Sequence, residues 1–193
     1  MKFINKYSVK KSASKIGLMF IGIFLAGEFS FSQMNFSVGE NVKLNEILWE
    51  KYFEEGKSHH EEGNYHKALK KFNRAIELNE NQADLYDYRG YVYLHLYKFH
   101  KAIKDFNKAL EIEPWNAEIL VHRGIANYCI RHFMLAIRDY TMAIEMNPNM
   151  SKAYYNRGIL KLELGDRKGA RQDFIAASEL LHDGASRLLA ELE

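Results

Sequence analysis

The residue types that bind metals or act as nucleophiles occur in this chain, but their spacing fits neither chemistry. No two of the eight histidines lie three or four positions apart, the separation that places two ligands on one face of a helix. Cys129 is the only cysteine, so the chain can form neither an internal disulfide nor a paired thiolate site. We therefore predict no metal-binding and no cofactor-binding residues.

Local catalytic motifs are equally incomplete. The sequence GKS at residues 56–58 ends like a phosphate-binding loop, but Lys51 stands where that loop requires its first glycine. No G-x-S-x-G element for an activated serine occurs. A triad assembled from distant residues remains open, because serine, histidine and carboxylate side chains are plentiful. The simplest interpretation is a protein that is not an enzyme and has no catalytic residues.

The net charge of +2 is unevenly distributed along the chain. Residues 1–32 contain five lysines and one glutamate, so the remaining residues carry a net charge of −2. A weakly acidic body gives no electrostatic reason to bind a polyanion. We therefore expect no nucleic-acid partner.

The first 32 residues are typical of an export signal. A lysine-rich start precedes an uncharged apolar run at residues 16–27 and the small residues Ser30 and Ser32. The run has 12 residues, which suits a signal peptide, whereas a membrane span needs about 20. We expect cleavage after Ser32 and a periplasmic or secreted protein. The alternative is that the segment is retained and anchors the protein in a membrane.

A 34-residue repeat organises the rest of the chain. The stretch YDYRGYVYL at residues 86–94 has a helical pattern although it contains a glycine, which costs about 1 kcal/mol relative to alanine in a helix interior. Equivalent glycines recur every 34 residues, each followed at fixed distances by an alanine, an aromatic residue and a second alanine. The four columns are Gly56, Gly90, Gly124 and Gly158; Ala68, Ala102, Ala136 and Ala170; Phe72, Phe106, Tyr140 and Phe174; and Ala75, Ala109, Ala143 and Ala177.

Each repeat contains two apolar-periodic segments of helical length separated by a short turn. Small residues at fixed places let two antiparallel helices approach closely, and the aromatic residue fills the space beside them. One such pair cannot bury its apolar face alone, but four stacked pairs make a continuous core. We therefore predict an all-α fold of four helix pairs in which the glycines are contact surfaces.

Opposite charges recur in every repeat at two positions 16 residues apart. The pairs are Glu55 with Lys71, Arg89 with Asp105, Arg123 with Asp139, and Arg157 with Asp173. Both signs are reversed in the first pair, which keeps the partners complementary. We predict that the two positions face each other across each helix pair. If exposed, each pair should contribute only about 0–1 kcal/mol.

This pattern resembles the tetratricopeptide repeat family, whose 34-residue helix-turn-helix has small residues at repeat positions 8, 20 and 27 and an aromatic residue at position 24. All four columns are filled in every unit of this chain. The resemblance implies a right-handed superhelical α-solenoid with a short C-terminal capping helix. It places the four units at residues 49–82, 83–116, 117–150 and 151–184, with a linker or extension at 33–48 and the cap at 185–193.

The resemblance also implies a concave face for partner binding, lined by the first helix of each unit. In this chain the implied positions form an aromatic and aliphatic stripe with acidic residues beside it. Contiguous exposed apolar surface usually marks a partner site. The alternative is that some of these side chains pack only against their own neighbours. The predicted partner-binding residues are Phe53, Lys57, Asp84, Asp87, Tyr91, Glu118, Val121, Ile125, Tyr128, Lys152, Tyr155 and Ile159.

These features favour an exported scaffold that binds a protein or peptide segment, with Asp84, Asp87 and Glu118 favouring a basic flank on that segment. The alternatives are an accessory or regulatory subunit that docks a catalytic partner, and a membrane-anchored adaptor. One subclass of the family grips acidic chaperone tails with a cationic clamp. Whether the clamp positions are counted from the first unit or from the second, this chain does not fill them with the required residues. We therefore expect no binding of those tails.

A second copy of the chain is a further candidate partner. Leu188, Leu189 and Leu192 follow the fourth unit and leave an apolar end for a homodimer contact. A membrane contact is expected only if the leader is retained.

Overall fold

The computed structural model describes the backbone of residues 38–192 and the side chains of residues 44–192. The predicted signal segment at residues 1–32 lies outside this part of the chain. The described backbone forms consecutive α-helices and contains no strand. The helices are α1 (Val38–Glu61), α2 (Tyr65–Leu78), α3 (Ala83–His95), α4 (Phe99–Ile112), α5 (Ala117–Cys129), α6 (Phe133–Met146), α7 (Ser151–Glu163), α8 (Arg167–Glu179) and α9 (Asp183–Ala190).

From Leu48 onward these helices form one compact unit. Helices α3 and α4, α5 and α6, and α7 and α8 pack as pairs, and each later helix also contacts the one before it. Gly56 of α1 lies against Phe72 of α2 and completes the first pair. The predicted all-α solenoid of four helix pairs followed by a short terminal helix is confirmed.

The helix bounds differ from the predicted units at both ends. Helix α1 begins at Val38, so the described part of the predicted linker at residues 33–48 is helical. Helix α9 begins at Asp183, two residues before the predicted cap. Residues 38–48 contain no proline that would end a helix, and the repeat pattern, which begins at residue 49, did not indicate that α1 starts earlier.

Each repeat glycine lies against the aromatic residue of its own unit. A Cβ atom added at Gly90 would lie 2.6 Å from Phe106 Cε1, and one at Gly124 would lie 2.5 Å from Tyr140 Cε1. Phe106 is fully buried and Tyr140 is nearly so. The glycine therefore lets the first helix of each pair rest directly on the aromatic ring of the second.

The turn inside each pair uses a left-handed residue at the same repeat position. Gly63 and Gly165 occupy it in the first and fourth units, with φ of 74° and 86°. Tyr97 and Arg131 occupy it in the second and third units, with φ of 57° and 62°. Since side chains are strained in this region of φ, the two middle turns are held by the packing of their helices.

The predicted pairing of charges is confirmed in every unit. Arg89 Nε and Nη2 donate to the two carboxylate oxygens of Asp105, each over 2.7 Å. The same two-bond geometry joins Arg123 to Asp139 and Arg157 to Asp173. In the first unit, Lys71 Nζ donates to Glu55 Oε2 over 2.5 Å.

Three of these pairs are less exposed than the sequence suggested. The side chain of Asp105 is 6% exposed, whereas Glu55 and Lys71 are each 34% exposed. Each arginine also donates from Nη1 to the preceding unit, for example Arg89 to Asn73 Oδ1 over 2.8 Å. These arginines therefore join three helices, and removing one of them should cost more than breaking a surface pair, because a buried carboxylate would be left without its cation.

Candidate partner-binding groove

The first helices of the units line one face of the solenoid. Helix α3 contacts α5, and α5 contacts α7. A groove of about 390 Å³ runs along this face and receives side chains from α1, α3, α5 and α7. It is lined by Phe53, Lys57, His60, Asp84, Asp87, Tyr88, Tyr91, Asn116, Glu118, His122 and Lys152.

Seven of the twelve predicted partner-binding residues line this groove. They are Phe53, Lys57, Asp84, Asp87, Tyr91, Glu118 and Lys152. Asp84, Glu118 and Lys152 are exposed, while the aromatic members are half-buried. The groove therefore combines charged groups that reach solvent with apolar surface that is open on one side.

Val121 does not offer the accessible surface that its repeat position predicts. Its side chain is 2% exposed and belongs to the core cluster that contains Leu120, Ala153 and Leu160. The close approach of α5 and α7 covers it. Val121 is therefore a core residue beneath a neighbouring cavity, and the prediction of its exposure was wrong.

Tyr155 is covered by the C-terminal part of the chain. Its ring stacks on His182 with centroids 4.1 Å apart and an interplanar angle of 20°. Gly184 of α9 also lies against it, because a Cβ atom there would be 3.0 Å from the Tyr155 hydroxyl. Tyr155 is half-buried as a result, so His182 and α9 take up part of the surface that a partner would contact at this residue.

The three remaining predicted residues lie outside the 390 Å³ groove. Tyr128 donates its hydroxyl to Glu163 Oε2 over 2.8 Å, a bond between the third and fourth units. Ile125 packs against the core cluster shared by the third and fourth units, and Ile159 is half-buried. The predicted aromatic and aliphatic stripe is therefore divided, and its members that line the groove, Phe53 and Tyr91, belong to the first two units.

Four groove residues are absent from the list of predicted partner-binding residues, although one of them, His60, stands at a repeat position of the implied concave face. Tyr88 and His122 occupy repeat position 6, one residue after Asp87 and Val121. His60 and Asn116 lie at the end of a first helix and before the start of another. Tyr88 and His122 could have been selected from the sequence, because repeat position 6 lies on the same helix face as positions 2 and 9.

Carboxylates dominate the electrostatics of the groove. Although the Asp84 residue reaches solvent, partial burial of its carboxyl group in the groove, together with the charges of Glu113, Asp87 and Glu118, raises its pKa above the ordinary value. Asp87 Oδ1 lies 2.8 Å from His122 Nδ1. A cation entering the groove would therefore relieve repulsion among these carboxylates.

The two lysines of the groove are not equivalent. Lys57 Nζ donates to Glu54 Oε1 over 2.8 Å, and this hydrogen bond raises the pKa of Lys57. Lys57 Nζ also lies 5.1 Å from the centre of the Phe53 ring. Lys152, which lines the groove from α7, is exposed. The charge of Lys57 is thus partly neutralised by its own helix.

Aromatic and imidazole rings cluster at one end of the groove. His60 lies 5.5 Å from Tyr91 and 5.2 Å from His95, measured between ring centres. His60 Nε2 is buried and has no hydrogen-bond partner among the described residues. Burial and the nearby His95 lower the pKa of His60, so its ring is neutral near pH 7.

Within residues 44–192, no group of three or more His, Cys, Asp or Glu side chains is placed to hold a metal ion. Although Cys129 is exposed as a residue, partial burial of its thiol raises the pKa of that group, which lowers its thiolate fraction. In the same part of the chain, no helix has both the length and the apolar character required to cross a bilayer.

Family comparisons agree with the repeat pattern. The profile described as "TPR repeat" matches residues 56–96, and the profile described as "Tetratricopeptide repeat" matches residues 83–114. No curated protein sequence matches the chain.

Solved structures share the fold. MamA has a TM-score of 0.65 and 18% identity, and the match covers 79% of this chain and 99% of MamA. Pseudomonas aeruginosa pilF has a TM-score of 0.71 and 20% identity, with 77% and 68% of the two chains covered. The first TPR of Spaghetti (RPAP3), bound to the HSP90 peptide SRMEEVD, has a TM-score of 0.55 and 25% identity over 57% of this chain and 90% of its own.

The profile matches span residues 56–114, within the first two units, and the structural matches extend across most of the helices. The glycine, alanine and aromatic columns continue in the third and fourth units with the same 34-residue period. The sequence profiles thus identify tetratricopeptide repeats within residues 56–114, and the solved structures show that the solenoid fold is shared.

Proposed function

We propose that this protein is an exported, non-catalytic scaffold that binds a segment of another protein in the groove. The observation that carries the proposal is that Phe53, Asp84, Glu118 and Lys152, one from each first helix, line a single open groove. A surface built from four units can follow an extended segment over several residues. The rigid helix pairs limit the entropy that such binding would cost.

The peptide complex of Spaghetti supports this role, because that TPR binds a short peptide and is 25% identical to this chain. The chemistry of the two partners should nevertheless differ. The peptide in that complex carries two glutamates and an aspartate, whereas the groove of this chain presents Asp84, Asp87 and Glu118. Like charges in the groove and on such a tail oppose binding.

Photocrosslinking tests the location of binding. A benzoylphenylalanine placed at Tyr91 should capture a partner in cells, because that side chain lines the groove. The same group at Lys104, an exposed residue of α4, is the matched control and should not capture that partner. Equal capture from both positions would contradict the proposal.

The alternatives differ in what is captured. An accessory or regulatory subunit should yield one catalytic partner in a fixed ratio, whereas a general scaffold should yield several. Export is tested separately by mass spectrometry of the mature protein. We expect Gln33 at the amino terminus after cleavage, whereas retention of Met1 would favour an anchored adaptor.

A further inference from the structure

Two further cavities adjoin the groove. A cavity of about 300 Å³ adjoins it and shares Glu118, His122 and Lys152 with it. A third cavity of about 650 Å³ shares Glu118, Asn147 and Met150 with the second. The three cavities therefore form a continuous path from the groove to the loops that join the second, third and fourth units.

Trp115 stands at the outer end of this path. Its side chain is 81% exposed and lines the 650 Å³ cavity beside Pro114, Met146 and Met150. The equivalent positions of the other units are Asn81, Asn149 and Asp183. The repeat core therefore has no need of a tryptophan here, and large exposed aromatic side chains often supply much of the energy of an interface.

Carboxylates accompany the path along its length. Asp84 and Asp87 lie at its inner end, Glu113 lies at its outer end, and Glu118 lines all three cavities. These four acids face two lysines, and one of those, Lys57, is already bonded to Glu54. An occupant with positive charge would complement this surface.

The combination of carboxylates and aromatic rings favours arginine over lysine as the basic residue of the occupant. A guanidinium group can bond a carboxylate through two parallel hydrogen bonds and can also stack on an aromatic ring. Glu118 on the path, Tyr91 within the groove and Trp115 at the exit supply both kinds of contact. An ammonium group makes such planar contacts less well.

We propose that the occupant is an extended, arginine-containing segment of a partner protein, which crosses the groove past Glu118 and contacts Trp115 where it leaves over the inter-unit loops. This inference rests on the proposed function, because it names the partner chemistry of the same groove. Trp115 is thereby a binding residue outside the predicted set.

Fluorescence anisotropy tests the inference with defined probes. One labelled peptide alternates arginine with alanine, and the other alternates glutamate with alanine, each titrated with the full chain at about 150 mM salt. The arginine peptide should bind and the glutamate peptide should not. Trp115→Ala should raise the Kd of the arginine peptide about tenfold, whereas Tyr97→Ala, at a residue that is also 81% exposed, should leave it unchanged.

A second pair of variants tests the charge. Glu118→Gln should raise the Kd and weaken its dependence on salt, because it removes one ion pair from the complex. Glu145→Gln removes an exposed carboxylate of α6 that lines none of the three cavities, and should change neither quantity. Equal binding of the two peptides, or equal effects of matched variants, would overturn the inference.

The failure of this inference can be separated from failure of the proposed function. If Tyr91 captures a partner segment that contains no arginine, the groove binds a partner and only the stated chemistry is wrong. If Tyr91 and Lys104 capture the same proteins to the same extent, the proposed function itself fails.

Discussion

Replacement of Arg89 by alanine should lower the free energy of unfolding by about 3–5 kcal/mol, because it leaves a buried carboxylate without its cation. Asp105 is 6% exposed and accepts both of its side-chain hydrogen bonds within the described structure from Arg89. The substitution would also remove the donor that Arg89 offers to Asn73. An exposed pair would lose only about 0–1 kcal/mol.

The equivalent substitutions should follow an order set by the remaining donors. Arg123→Ala leaves Asp139 with the amide of Asn127, 3.0 Å away. Arg157→Ala leaves Asp173 with the ammonium group of Lys161, 2.9 Å away. We therefore expect the loss of stability to decrease from Arg89→Ala through Arg123→Ala to Arg157→Ala.

Lys71→Ala is the matched control, because it removes the cation of the same pair position where both side chains are 34% exposed. It should cost about 0–1 kcal/mol. Urea denaturation followed by far-UV circular dichroism gives each difference in unfolding free energy, provided that the slope with urea is unchanged. A cost for Arg89→Ala no larger than that for Lys71→Ala would refute the argument from burial.

A double variant tests the cause of the loss. Arg89→Met with Asp105→Leu removes both charges and keeps apolar volume at the site. Because no uncompensated carboxylate remains, most of the stability should return. A double variant as unstable as Arg89→Ala would show that lost packing, and not an unpaired charge, explains the effect.

Four further predictions concern packing, backbone strain, titration and partner choice. Gly90→Ala would place a methyl group 2.6 Å from Phe106 Cε1, and such overpacking costs about 1–3 kcal/mol; Phe106→Leu in the same chain should recover part of the loss, as measured by thermal unfolding. Tyr97→Gly should stabilise the protein by about 1 kcal/mol in urea titrations, because Tyr97 has a φ of 57°. Because the pKa of His60 is lowered in the folded protein, the unfolded chain binds more protons in acid. The urea concentration at the unfolding midpoint should therefore decrease as the pH is lowered below about 6.5, and His60→Gln should make this decrease smaller. Calorimetry with the peptide SRMEEVD should detect no micromolar binding, and a micromolar Kd would contradict the charge argument for the groove.

The sequence was sufficient to predict the helix pairs and the pairing of their charges, because both depend on side chains that recur at a strict 34-residue period. Gly90 and Phe106 illustrate the reason, since a small and a large residue at fixed spacing leave one close-packed arrangement. Asp105 marks the limit of this reasoning. Its spacing from Arg89 predicted the ion pair, but its burial depends on how three helices converge.

The groove was less predictable than the core. Repeat position gives the direction of a side chain, but Val121 is buried by the neighbouring first helix and Tyr155 is covered by His182 and α9. Conversely, His122 turns into the groove beside Asp87 from a position that was not selected. These outcomes depend on contacts between units and with the terminal helix, which the internal pattern of one repeat does not contain.

The most direct test of the central claim measures binding of the partner segment captured from Tyr91, made as a synthetic peptide, by isothermal titration calorimetry. The account predicts that Tyr91→Ala and Glu118→Lys weaken its binding strongly, because both residues line the groove, while Lys104→Ala leaves the Kd unchanged. Unchanged affinity in both groove variants would contradict the claim that this face binds the partner.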